Sequence, residues 1–270
     1  MKKLLIISLS FVSIGIVFFA CHKVAHTNRN QLLLVKSEQM NQMSFQQYTQ
    51  FLQENKVSSN VSQTQMIKNC GARIKNAVER YLKNKGLSHK LDGFNWEFNL
   101  VDDPTVNAWC MPGGKVVFYT GILPICQDET GVAVVMGHEV AHAIAEHGRE
   151  RMSSQMVLNG LLTLGNLGSQ LKSDENSKQK SSLLMQAVGA GSQLGMLAFS
   201  RKHESEADHM GLVFMAMAGY DPREAPKFWE RMSAGGKASV PEFMSTHPSD
   251  KTRINDLNAK MNEALQYYNK

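Results

Sequence analysis

Apolar residues recur at helical spacing along several stretches of the chain and alternate along others. Between Gln65 and Lys85, Ile67, Ile74, Val78, Tyr81 and Leu82 share one face, which predicts an amphipathic helix. Between Asp128 and Arg151, Val132, Val135, Met136, Val140, Ala143 and Ile144 recur in the same way, so this segment reads as one buried helix. Asp128 and Glu129 suit its positive N-terminal end. Gly131 and Gly137 are poor helix formers and point to close packing instead. Further helices are predicted around Ser44–Glu54, from about Ser200 to Ala218, from Asp221-Pro222 to about Met232, and from Pro248-Ser249 to about Tyr268. Phe94 to Val101 alternates as a strand. Val106–Trp109 and Lys115–Thr120 read as two strands joined by Pro112-Gly113-Gly114, which is strong turn chemistry. The pattern is that of an α+β protein, predominantly α, with a small hairpin beside the helix of Asp128.

Gly160 to Ala198 differs from its surroundings. It is rich in Gly, Ser, Leu and Met, with a polar break from Lys172 to Lys180. Two short apolar helical pieces around a loop are predicted, and such an insert can act as a lid or substrate gate. Gly165, Gly168, Gln170 and Lys172 in the first half, and Gln186, Gly189, Gly191, Ser192 and Gln193 in the second, argue against a transmembrane hairpin.

The N-terminus reads as a targeting segment. Lys2-Lys3 precede an apolar stretch from Leu4 to Ala20, as in a secretory leader. Ala20-Cys21 resembles a bacterial lipoprotein cleavage site, with Phe18 where leucine is common. The expected organisation is a signal peptide over 1–20, a lipidated Cys21, a polar tether over 21–36, and one domain over 37–270. An uncleaved membrane anchor is the alternative, since a stretch of this length just spans a bilayer. Either way the domain is expected outside the cytoplasm and tethered to a membrane.

Composition narrows the classes. The chain has 270 residues and 43% hydrophobic content, enough for one good core. A net charge of +5, without a basic aromatic patch, argues against nucleic acid as a partner. The 16 methionines suit adaptable packing, mostly in the core. Beyond Cys21 remain Cys70, Cys110 and Cys126, none at zinc-finger spacing. An exported protein tends to pair its cysteines, and Cys110 and Cys126 can pair only if their Cα atoms lie close enough.

The chemistry concentrates in His138-Glu139-Val140-Ala141-His142. Histidines four apart on a helix share a face and can converge on one metal ion. Glu139 is placed to take a proton from a water that zinc has acidified. Catalytic zinc usually has three protein ligands and an open position, so a third ligand must come from elsewhere. The extended histidine pattern of one such class is excluded, because Ala145 and Gly148 stand at its two further positions. His147 lies about half a turn round the helix from His138 and is no substitute. Glu204 and Asp208, four apart on the helix that begins near Ser200, are better placed. One carboxylate can bind the metal while the other accepts a hydrogen bond from a ligand histidine. Glu206 points elsewhere and is expected to face solvent.

His138–His142, Glu204-Ser205-Glu206-Ala207-Asp208 and Asn107–Gly114 together resemble peptidase family M48 over roughly Ser37 to the C-terminus. The soluble, periplasmic BepA/LoiP-like lipoprotein branch is similar in layout; the multi-spanning HtpX and CaaX-protease branches are not. The resemblance implies a gluzincin-type fold and one zinc ion per chain, with His138, His142 and Glu204 as ligands, Glu139 as general base and Asp208 behind a ligand histidine. It also implies that His247, followed by Pro248, and Arg253 approach the metal and stabilise the oxyanion of the reaction. In some relatives the histidine instead occupies the open position and holds the enzyme latent. Asn107, Ala108 and Trp109 become a platform for an extended substrate, although an ordinary structural hairpin gives the same pattern. The expected function is a membrane-tethered zinc metalloendopeptidase of the bacterial envelope, facing the periplasm, anchored by lipid in the outer membrane. Its substrates would be unfolded or misassembled polypeptides. The alternative is a mostly latent protease serving the outer-membrane assembly machinery as a chaperone.

Overall fold

In a computed structural model of the chain, the described residues are 21–170, 201–234, 243, 247 and 251–268. The leader over 1–20 and most of the insert up to residue 200 lie outside them. Two units are distinguished, residues 1–37 with 149–199 and residues 38–148 with 200–270.

In the first unit, β1 (Cys21–Lys23) pairs antiparallel with β2 (Asn30–Leu32), His22 opposite Gln31. Asn28 adopts φ 55° in the turn, a conformation asparagine tolerates. The segment expected as a polar tether thus contains a short hairpin, with Val24, Ala25 and Leu33 buried. Arg29 donates to both oxygens of Glu150 at 2.7 Å, and the Leu34 N–H donates to Ser153 Oγ at 2.9 Å.

The second unit holds α1 (Ser37–Glu54), α2 (Val61–Asn84) and a three-stranded sheet in the order β3-β5-β4. β3 (Glu97–Val101) lies parallel to β5 (Lys115–Tyr119), with Glu97 opposite Lys115. β4 (Ala108–Met111) lies antiparallel to β5, with Trp109 opposite Val117. Central β5 is covered on both faces, so Val116, Val117 and Phe118 are wholly buried. The face of α2 marked by Ile67, Ile74, Val78, Tyr81 and Leu82 is buried as the spacing predicts. Short α3 (Leu123–Cys126) leads into α4 (Glu129–Ile144).

The expected single helix from Asp128 to Arg151 is two. α4 ends at Ile144, Glu146 takes φ 57°, and α5 (His147–Gln170) starts anew. Lys90 Nζ, 3.0 Å from the Glu146 carboxylate, holds this left-handed corner. The rest of the core comes from α6 (residues 201–217), α7 (Glu224–Ala234) and α8 (Lys251–Tyr268). Asp221-Pro222 precedes a helix, as expected, whereas Pro248-Ser249 lies outside the described residues. No helix among the described residues is long and apolar enough to cross a membrane. Cys70, Cys110 and Cys126 are free thiols.

Candidate metal centre

The site is built where α4 and α6 cross. Asp128 caps α4, its carboxylate accepting the Thr130 and Gly131 N–H groups at 2.8 and 3.0 Å. The helices then approach backbone to backbone. A Cβ on Gly137 would meet the Gly211 carbonyl oxygen at 2.9 Å, and a Cβ on Gly211 would meet the His138 nitrogen at 3.0 Å. Glu204 and Asp208 lie two turns and one turn before Gly211, respectively, on the same face of α6. The glycine contact therefore brings both carboxylates against the histidines of α4.

Four side chains converge there. His138 Nε2 and His142 Nε2 are 3.1 Å apart. Glu204 Oε2 is 3.3 Å from the first and Oε1 is 3.3 Å from the second. His247 Nδ1 stands 3.0 and 3.2 Å from the Glu204 oxygens and 3.2 Å from His138 Nε2. All these donor atoms lie within 4.8 Å of one another. A tetrahedral zinc site with bonds of about 2.0–2.1 Å has donor–donor edges of about 3.3–3.4 Å. The spacings and the donor types, imidazole nitrogen and carboxylate oxygen, fit such an ion.

A wall of buried charge stands behind the donors. Asp208 Oδ1 accepts from His138 Nδ1 at 2.9 Å. Arg253 donates to both Asp208 oxygens at 2.6 and 2.7 Å and lies 3.4 Å over the Trp229 ring. An ionised carboxylate only accepts, so the His138 Nδ1 carries the proton and its Nε2 faces the cluster. Glu139 is buried, its Oε1 3.5 Å from His247 Nε2 and without a hydrogen-bond partner among the described residues.

The electrostatics favour a positive charge among the donors. Burial and Arg253 press the His138 pKa down, yet Asp208 and Glu204 outweigh them and raise it to about 9. Burial holds the His142 pKa well below its usual value. Burial by itself would raise the Glu204 pKa, but His142, His138 and His247 together keep it ionised. The Asp208 carboxyl is likewise lowered, Arg253 and His138 overcoming its burial. Glu139 is raised by burial, with His247 opposing. A proton or a metal ion answers the same demand.

His138, Glu139, His142, Glu204, Asp208, His247 and Arg253 thus lie together. Arg253 is engaged with Asp208, and its Nη1 lies 3.4 Å from Glu204 Oε2. β4 packs against α4, but the Trp109 side chain turns away, its Nε1–H donating to Tyr119 at 3.2 Å and its ring edge-on to Phe51. Asn107 Oδ1 accepts the Ala108 N–H at 2.9 Å. Cys21 opens β1.

Glu206 was misjudged from sequence, and the surroundings of His147 were not foreseen. Glu206 is buried, not solvated, and its Oε2 is 3.0 Å from His147 Nε2. His147 Nδ1 is in turn 2.9 Å from His142 Nδ1, and its ring stacks on His203 at 4.3 Å. The corner at Glu146 turns His147 back toward α6, which no uninterrupted helix allows. The left-handed residue was the missing signal, and Glu is not a residue type that announces one.

Residues 68–261 match peptidase family M48. The chain belongs to that family. It is 39% identical over 191 residues to the mitochondrial metalloendopeptidase OMA1 of Schizosaccharomyces pombe, covering 69% of this chain and 53% of the relative. The human mitochondrial metalloendopeptidase OMA1 is 29% identical over 270 residues, covering 95% of this chain and 49% of the relative. The beta-barrel assembly-enhancing protease of Escherichia coli is 30% identical over 170 residues, covering 62% and 35%. The BepA-like branch is therefore one kind of relative and OMA1 another. The chain spans about half the length, or less, of these relatives.

Proposed function

We propose that the chain is a membrane-tethered zinc metalloendopeptidase that hydrolyses peptide bonds of unfolded or misassembled envelope proteins. The observation that carries this is the pair of Nε2 atoms 3.1 Å apart, flanked by Glu204, beside a buried Glu139 with an oxygen unpartnered among the described residues. His138, His142 and Glu204 would hold one zinc. Bound there, zinc supplies Lewis acidity to the scissile carbonyl and to an attacking water. Glu139 Oε1 takes the proton of that water and returns it to the leaving amine. Asp208 and Arg253 keep His138 oriented, and His247 stands at the fourth corner of the donor set. Substrate entry then requires the His247 ring to move aside, after which it is placed to donate to the developing oxyanion.

β4 supports an extended substrate. The Tyr119 N–H donates to the Asn107 carbonyl, so Asn107, Trp109 and Met111 form the bonded set with β5. Ala108 and Cys110 therefore turn their backbone groups to the other edge, toward an added strand. Asn107 braces this edge from its side chain, and Trp109 anchors the strand to α1.

The N-terminal pattern of Lys2-Lys3, the apolar run and Cys21 supports export and lipid attachment in a bacterial envelope. The OMA1 relatives are named mitochondrial, so the compartment rests on this leader. Fatty-acid labelling of wild type that persists in Cys21→Ser would exclude the lipid assignment.

The test of activity is cleavage of casein by the full chain with and without a chelator. Glu139→Gln should retain zinc while turnover falls by roughly 10²–10⁴-fold. Chelator-insensitive cleavage, or wild-type turnover in Glu139→Gln, refutes the reading. A latent protease acting as an assembly chaperone is favoured by one observation, His247 among the donors. In that case His247→Ala raises turnover; if His247 serves the oxyanion, turnover falls by roughly a hundredfold or more.

A further inference from the structure

We infer that Glu206 and His147 are positioning residues that set the tautomer of His142, and through it the metal affinity of the site. This rests on the reading of His138, His142 and Glu204 as zinc ligands.

With His147 neutral, the chain of donors has one consistent direction. Glu206 is nine-tenths buried and its Oε2 lies 3.0 Å from His147 Nε2. A carboxylate has no proton to give, so the His147 Nε2–H donates to it. A neutral imidazole carries one proton, which leaves His147 Nδ1 as an acceptor. That atom is 2.9 Å from His142 Nδ1, which must then be the protonated nitrogen of its ring. His142 Nε2 is left bare, and it is the atom 3.1 Å from His138 Nε2 and 3.3 Å from Glu204 Oε1. The reverse direction would set a bare His147 Nε2 against a carboxylate oxygen. Each metal-facing imidazole thus has a carboxylate behind it. Asp208 reaches His138 directly; Glu206 reaches His142 through an intervening ring.

The topology explains the indirect route. Residues 203 and 206 lie on a flank of α6 away from 204 and 208. His147, turned back by the corner at Glu146, stacks on His203 and spans from Glu206 to His142. Nothing in HExxH demands this arrangement. A carboxylate and the imidazoles of His147 and His203 are buried beside the part-buried His142 to make it.

The direct test is nitrogen-15 NMR of the metal-free full chain in detergent, at a pH where the rings are neutral. The proton of His142 should be on Nδ1. A proton on Nε2, as a doubly protonated His147 would impose, overturns the inference. Zinc competition with a chromophoric chelator gives the functional arm. His147→Phe keeps the ring volume and removes the acceptor, and should weaken zinc binding by roughly 10–100-fold. His147→Asn offers a carbonyl oxygen near the Nδ1 position and should recover most of that loss. A His147→Phe affinity within about threefold of wild type, or equal losses in both variants, refutes positioning and leaves a packing role. If His147→Phe does not fold, the wild-type tautomer decides. A wild type that binds no zinc refutes the metal-site reading, while the tautomer is still decided by NMR.

Discussion

Gly137→Ala tests whether the glycine crossing sets the ligand geometry. Its Cβ would lie 2.9 Å from the Gly211 carbonyl oxygen and 3.4 Å from the Gly211 Cα. Both are backbone atoms, so no side chain can swing away. Ordinary contact needs about 3.5 Å, so the helices must part by roughly half an ångström. Such overpacking costs about 1–3 kcal/mol. Alanine in a helix returns about 1 kcal/mol relative to glycine, leaving a net destabilisation of up to about 2 kcal/mol. The larger consequence is at the site, since Glu204 and Asp208 ride on α6. Functional constellations tolerate displacements of about 0.5 Å, and zinc affinity should fall at least about tenfold. Gly160→Ala is the control. A Cβ there meets nothing within 4 Å and the position is exposed in a helix, so it should gain up to about 1 kcal/mol and leave zinc alone. Urea titration of the metal-free proteins measures stability, and chelator competition measures zinc. A Gly137→Ala protein that binds zinc like wild type refutes the argument.

Three further outcomes are expected. Arg253→Ala strands the buried Asp208 carboxylate and should destabilise the metal-free protein by roughly 3–5 kcal/mol; Arg253→Lys should not restore it, because an ammonium cannot make the bidentate contact. Rescue by lysine in urea titration would show that charge alone matters. Asp128→Ala removes the cap on Thr130 and Gly131 and should cost about 0.5–2 kcal/mol, read by the same titration. Burial pushes the Cys70 thiol from 9.0 to about 12. Native thiolate at pH 8 is then about a thousandfold scarcer than in the unfolded chain, and alkylation followed by mass spectrometry should be correspondingly slow. Because the folded pKa is the higher one, this thiol supports folding below pH 9, and its contribution is lost as the pH rises toward 12. Equal alkylation rates in native and unfolded protein would contradict the burial.

Periodicity by itself determined that Ile67 to Leu82 form a buried helical face, that Pro112-Gly113-Gly114 turns a hairpin, and that His138 and His142 share a face. These follow from the repeat of the backbone, which local sequence displays directly. The pairing of Glu204 and Asp208 with those histidines was also legible, because carboxylates four apart select one face of a helix. Tertiary structure decided what depends on the path between elements. Gly137 announced close packing, but its partner Gly211 is set by how α4 and α6 cross. The parallel pairing of β3 with β5 joins strands distant in sequence, and no local pattern encodes it. Glu206 read as solvated because it points away from Glu204 and Asp208, and His147 was read only as no third metal ligand, on a continuous helix. A single left-handed residue, Glu146, redirects the chain and brings the two together. Spacing along a helix is a local quantity; which groups are buried against each other depends on where the helix stops.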